Sequence, residues 1–165
     1  MRYLLLLCAF AFPLLLHAQG ASQGKKAPYL QYPVIPAYQL TLPDGHTITK
    51  NDLRKNTPTL VFIFSVECDH CKQLTEEMLK NMDKLKKTQV LMITPFKPGR
   101  MKEYYEEYKI SQYPNIIMAS EPTRQIMSFY DMHYFPGLYV YNKKQSLVKG
   151  FEGTAKLDDV LPYLK

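Results

Sequence analysis

Cysteine is scarce in this sequence. Three residues, Cys8, Cys68 and Cys71, occur in 165, too few for the stapled scaffold of a small secreted domain. No second Cys-x-x-Cys and no paired-histidine motif accompanies them, so a tetrahedral metal site would have only His46, His70 and His133 to draw on, and no metal is assigned. A G-x-G-x-x-G stretch is missing as well. That removes the nicotinamide and flavin fingerprint, and no dissociable cofactor is expected. Nor are the basic residues massed: the formal charge is +6, with Lys and Arg scattered among Asp and Glu. Nucleic-acid binding is therefore not suggested. Internal repeats, long low-complexity tracts and linkers are also absent. What remains, 46% hydrophobic and 22% charged residues, is the balance of one globular core.

The first twenty residues read differently from the rest. A single basic residue, Arg2, precedes an apolar run from Tyr3 to Leu16, and small and polar residues follow from Ala18 to Ala21. This is the order of a cleaved secretory signal, and export to a periplasmic or other extracytoplasmic compartment is expected. An uncleaved membrane anchor is the alternative, but the run is short for a bilayer span and carries Pro13. A lipoprotein reading at Cys8 meets Leu7 where a small residue is wanted. Cleavage near Ala18 or Gly20 removes Cys8 and leaves Cys68 and Cys71. Residues 21–33 are polar and rich in breakers, a flexible leader, and a single domain is expected over 34–165.

Within that domain, Tyr38 to Leu42 and His46 to Thr49 alternate around Pro43-Asp44-Gly45 and predict a hairpin. Asn51 offers a cap for a short turn. Thr59 to Val66 (TLVFIFSV) reads as a strand covered on both faces. From Cys71 the period changes to that of a helix, with Leu74, Met78, Met82 and Leu85 on one face. Gln89 to Thr94 is a second buried strand, followed by a helix at Met101 to Lys109 and a short strand at Asn115 to Ala119. Pro122 is placed at the first position of a helix running to Tyr130. Leu138 to Tyr141 and Ser146 to Phe151 form a second hairpin, and Thr154 is taken as the cap of a final helix. Met78, Met82, Met92 and Met127 fall on core faces, where methionine fills gaps.

The cysteines thus stand where a buried strand turns into an amphipathic helix. A thiol reacts as the thiolate, which the unpaired N–H groups and dipole of a helix start favour. Cys68 occupies that start and Cys71 lies one turn on, so Cys68 is the attacking residue and Cys71 the resolving one. Between them, a protonated His70 stabilises the Cys68 thiolate while Asp69 opposes it at short range. An inert structural disulfide and half a metal site are the other readings of such a pair.

The hairpin with PDG, the strand TLVFIFSV, the motif CDHC, the strand QVLMIT and Phe135-Pro136 before LYVYN together resemble the thioredoxin superfamily, and most of all its TlpA/redoxin branch. The resemblance implies an α/β, thioredoxin-like three-layer sandwich: a mixed central sheet flanked by helices, with an N-terminal hairpin and an inserted helix and strand. It also implies a cis proline, Pro136, whose neighbour Phe135 pairs through its backbone with an extended peptide substrate. Three residues depart from the pattern. Glu67 replaces the aromatic residue before the first cysteine and sets a carboxylate against the Cys68 thiolate, so that it joins Asp69 and His70 as a modulating residue; Phe62 stands where some relatives carry a buried acid, and Phe135 is bulkier than usual. Glu67, or Glu121 from the inserted region, is a candidate substitute for that acid; His133 is read as a surface residue.

The reading that follows is a thiol–disulfide oxidoreductase of the exported compartment, reducing a disulfide-containing protein substrate and drawing electrons from a membrane donor. A peroxiredoxin-like peroxidase is an alternative because Ser65 stands three residues before Cys68, although Val61 occupies the place of that motif's proline. A thioredoxin-like binding module without turnover is the second alternative. No oligomeric state is assigned.

Overall fold

The computed structural model describes residues 26–164; the expected signal segment and the first part of the leader fall outside them. In chain order the elements are α1 (Pro28–Gln31), β1 (Leu40–Thr41), β2 (Thr47–Ile48), β3 (Thr59–Ile63), α2 (Asp69–Lys80), α3 (Met82–Leu85), β4 (Gln89–Thr94), α4 (Pro98–Glu107), β5 (Ile116–Ser120), α5 (Gln125–Tyr130), β6 (Gly137–Tyr141), β7 (Leu147–Glu152) and α6 (Leu157–Val160). The strands form one seven-stranded sheet in the order β2-β1-β5-β4-β3-β6-β7. β3, β4 and β5 run parallel, while β6, β7, β1 and β2 join antiparallel.

Two apolar clusters explain the layering. Successive side chains of a strand point to opposite faces, and every residue of β3 and β4 is buried. Leu60, Phe62, Val90 and Met92 meet Leu74 and Met78 of α2, Met101 of α4 and Val160 of α6. Val61, Ile63, Leu91 and Ile93 meet Ile126 and Tyr130 of α5 on the other side. The result is the α/β, thioredoxin-like three-layer arrangement, with the inserted helix and strand realised as α4 and β5.

Several local readings are corrected. Residues 28–31, expected in the leader, form α1, opened by Pro28 at its first turn. The Tyr29 ring lies 5.3 Å from that of Tyr139 and 5.8 Å from that of Tyr130, and Pro33 C=O accepts Leu147 N–H at 2.8 Å. One aromatic anchor outweighs the polar composition around it. Thr49, not Asn51, caps the first short turn: its hydroxyl accepts Asn51 N–H, and Asp52 accepts Thr49 N–H at 2.8 Å. The long helix breaks at Asn81, whose side chain donates to Glu77 C=O, so Met82 opens α3 and is half-buried. α4 begins a turn early because Pro98 starts it. α5 begins at Gln125 rather than Pro122, since Glu121 reaches past the intervening turn and accepts Ile126 N–H at 3.0 Å. α6 is preceded by Lys156 instead of Thr154, with Asp159 accepting Lys156 N–H at 2.9 Å.

Candidate active site

The end of β3 delivers the chain to the site. Ile63 pairs with Gly137 across the β3–β6 ladder. This register brings the segment before β6, Phe135-Pro136, to the same sheet end as the turn that leads from β3 into α2. Cys68 is the N-cap of α2, with extended backbone angles, and its Sγ accepts the Cys71 N–H at 3.2 Å. A cap is normally an oxygen from Ser, Thr, Asp or Asn; a sulfur in that place lies among the donors that favour an anion. Ser65 C=O accepts Cys68 N–H at 3.2 Å and holds the turn.

Both cysteines are free, Cys68 half-buried and Cys71 fully buried. Burial pushes the Cys71 thiol well above the ordinary range, its hydrogen bond to Cys68 adds to that, and a hydrogen bond from the Ser65 backbone opposes it. Cys71 is thereby held as a protonated, shielded thiol beside an accessible sulfur.

The three residues expected to modulate the pair are all exposed. Asp69 faces Lys72 at 3.6 Å and Glu67 faces Arg100 at 3.5 Å. His70 lines a groove of about 400 Å³ together with Leu74, Pro136 and the segment Gly153–Lys156. The sequence reading misses Arg100 because it starts this helix at Met101, three residues after Pro98, which was the available signal. Arg100 also meets Glu103 at 3.4 Å, so the carboxylate at the unusual position 67 does not act on Cys68 unopposed.

Pro136 is preceded by a cis bond, as the resemblance implies. Phe135 is half-buried and packs against both apolar clusters. Phe62 is fully buried in the core. Glu121 is a cap, accepting from Thr123 and Ile126, and is corrected as a substitute acid for Cys71. The polar group packed behind Cys71 is instead a hydroxyl pair. Thr75 donates to Cys71 C=O at 2.8 Å and meets Tyr104 Oη at 2.9 Å. Thr75 has one hydroxyl proton, so Tyr104 is the donor in that pair. His133 is exposed. Among the described residues no group of three His, Cys, Asp or Glu is arranged to hold a metal ion, and no helix is long and apolar enough to cross a membrane.

The comparisons bear on family and fold. The model of the AhpC/TSA family matches residues 24–149. Among solved structures the chain is similar to a secreted Mycobacterium tuberculosis disulfide oxidoreductase homologous to E. coli DsbE, with 12% identity, TM-score 0.64, and 78% of this chain and 94% of that one covered. It is similar also to a thiol peroxidase from Chromobacterium violaceum, with 18% identity, TM-score 0.65, and 78% and 81% covered. A peroxiredoxin-like protein from Aquifex aeolicus gives 14% identity, TM-score 0.65, and 79% and 83% covered. Among curated proteins none is similar enough in sequence to count as a match.

Proposed function

Because the chain belongs to the AhpC/TSA family, we propose that it is a thiol–disulfide oxidoreductase, exported from the cytoplasm, that reduces disulfides in extracytoplasmic proteins. The observation that carries the reading is the Cys68 Sγ at the start of α2, 3.2 Å from the Cys71 N–H, with the second thiol buried behind it.

In this scheme the Cys68 thiolate attacks one sulfur of a substrate disulfide, and the other substrate sulfur leaves as a thiolate that takes a proton from solvent. Cys71 gives up its proton and attacks Cys68 Sγ, which breaks the mixed disulfide and releases the substrate's second thiol. The substrate gains two electrons and the Cys68–Cys71 pair loses two. A membrane-held dithiol returns them by the same exchange in reverse. The groove beside His70 and Pro136 receives the substrate segment, and Glu67, Asp69 and His70 tune the thiolate from the solvent side.

The peroxidase alternative is less well supported by the local geometry. The Ser65 hydroxyl accepts Glu67 N–H at 3.2 Å. Val61 lies in the middle of β3, paired with Leu91 on one side and Tyr139 on the other, where a proline would break the ladder.

The deciding experiment equilibrates the purified protein with glutathione mixtures and reads the thiols of Cys68 and Cys71 by alkylation and mass. An intramolecular disulfide with a potential near that of thioredoxin, about −270 mV, is expected. A Cys71→Ser variant should trap the substrate as a mixed disulfide on Cys68. If no Cys68–Cys71 disulfide forms anywhere in the series, or if peroxide is consumed with a dithiol while protein disulfides are untouched, the reading is wrong.

A further inference from the structure

The groove beside His70 and Pro136 has two walls. One is the first turns of α2, including His70 and Leu74; the other is Pro136 with residues Gly153–Lys156. The second wall comes from two separate loops, one between α5 and β6 and the other after β7. It keeps its shape only if those loops are tied together.

Two ties are present. Gly153 N–H donates to Pro136 C=O at 2.8 Å. The other involves Glu152, the last residue of β7: its Oε1 accepts the backbone N–H of His133 and that of Tyr134. These donors lie two and one residues before Phe135, in a stretch that belongs to neither α5 nor β6. Both residues are exposed, where water could serve these donors, and yet both take the same carboxylate oxygen. Hydrogen bonds to an ionised acceptor are the stronger kind.

We infer that Glu152 is a positioning residue that holds the 133–136 loop in register for docking the backbone of an extended protein substrate. This rests on the proposed function. The carboxylate touches neither cysteine, so its effect falls on docking and not on the exchange at sulfur. A protein disulfide lying along Phe135 and Pro136 depends on it, whereas a small disulfide needs only access to Cys68.

The test compares the wild-type protein, Glu152→Ala and Glu152→Gln, each pre-reduced, in single-turnover reduction of insulin and of hydroxyethyl disulfide. Amide hydrogen exchange at His133 and Tyr134 is followed in parallel. In Glu152→Ala the ratio of insulin to small-disulfide rates should fall about tenfold, through the half-saturating insulin concentration and not the maximal rate, and protection at both amides should fall with it. Glu152→Gln keeps an acceptor oxygen and should stay within about threefold of wild type. If Glu152→Ala does not fold, Glu152→Asp, which withdraws the oxygen by one methylene, must show the same fall in ratio and protection. An unchanged ratio, a parallel loss on both substrates, or amides that exchange alike in all variants overturns the inference. A wild-type protein that reduces neither disulfide overturns the proposed function instead, and the exchange data still decide the tie.

Discussion

Raising the pH should unfold this protein through its tyrosines. Tyr104, Tyr130, Tyr139 and Tyr141 are 0–2% exposed. In each, burial is the first cause that pushes the phenol well above the ordinary 10. Tyr104 donates to Thr75, and Tyr130 and Tyr141 share a hydrogen bond of 2.8 Å between their hydroxyls that favours the neutral form of the donor. A group whose pKa is raised on folding contributes stability that is complete below its unfolded value and is lost as pH rises above it. At pH 11 the unfolded chain gains about 1.4 kcal/mol from each such phenol, hence about 6 kcal/mol from the four. The buried Cys71, whose ordinary value is 9, adds about 3 kcal/mol by the same relation. Together these approach the roughly 5–15 kcal/mol that holds a domain folded. Cooperative unfolding is therefore expected between about pH 10.5 and 12. The assay is a titration under reducing conditions that follows far-ultraviolet circular dichroism together with tyrosinate absorbance. The chain has no tryptophan, so the absorbance step belongs to tyrosine. Loss of the dichroism should coincide with the last step in absorbance, and Tyr130→Phe should lower the slope of stability against pH above pH 11 by about 1.4 kcal/mol per unit. Full tyrosinate absorbance with the dichroism intact would refute the reasoning.

Two further perturbations act closer to the cysteines. Thr75→Val removes the acceptor of the Tyr104 hydroxyl and leaves it buried and unpaired, so denaturant unfolding should show a loss of about 1–3 kcal/mol, with Thr75→Ser losing less than about 1. Arg100→Gln should slow alkylation of Cys68 about two- to threefold at low salt by leaving Glu67 unopposed, and Glu67→Gln combined with Arg100→Gln should restore it. An additive pair of single effects in that cycle would mean that the two side chains act separately on the sulfur.

Legibility followed burial. β4 was bounded correctly because all six of its residues are apolar or buried in the sheet, and β3 ran over by three residues only because Phe64 and Val66 are core residues outside the ladder. Elements of four residues or fewer have no period to read. α1 rests on the packing of Tyr29 against residues more than a hundred positions away, and nothing in the neighbouring sequence records that. Caps were misread where a carboxylate works at a distance along the chain: Asp52 for Thr49 and Glu121 for Ile126. In both, the nearest Asn or Pro was the stronger local signal and the acid the true partner.

The candidate site divides along the same line. Cys68 and Cys71 were legible because a strand-to-helix junction is a local pattern, and Pro136 because the resemblance supplied its place. The partners of the site residues were not, since each comes from another element. Glu67 read alone is an obstacle to a thiolate at position 68; with Arg100 delivered by α4 it is half of an ion pair. Phe62 read alone is a missing acid. In the fold it is one of the side chains against which α2 packs, and the polar contact behind Cys71 passes to Thr75 and Tyr104. A hydroxyl pair donates hydrogen bonds but carries no charge at neutral pH, so it steadies the Cys71 peptide without serving as a base. In the proposed cycle this leaves the Cys68 and solvent side as the route for the proton that Cys71 gives up, and the pH dependence of resolution is expected to arise on the exposed face of the site.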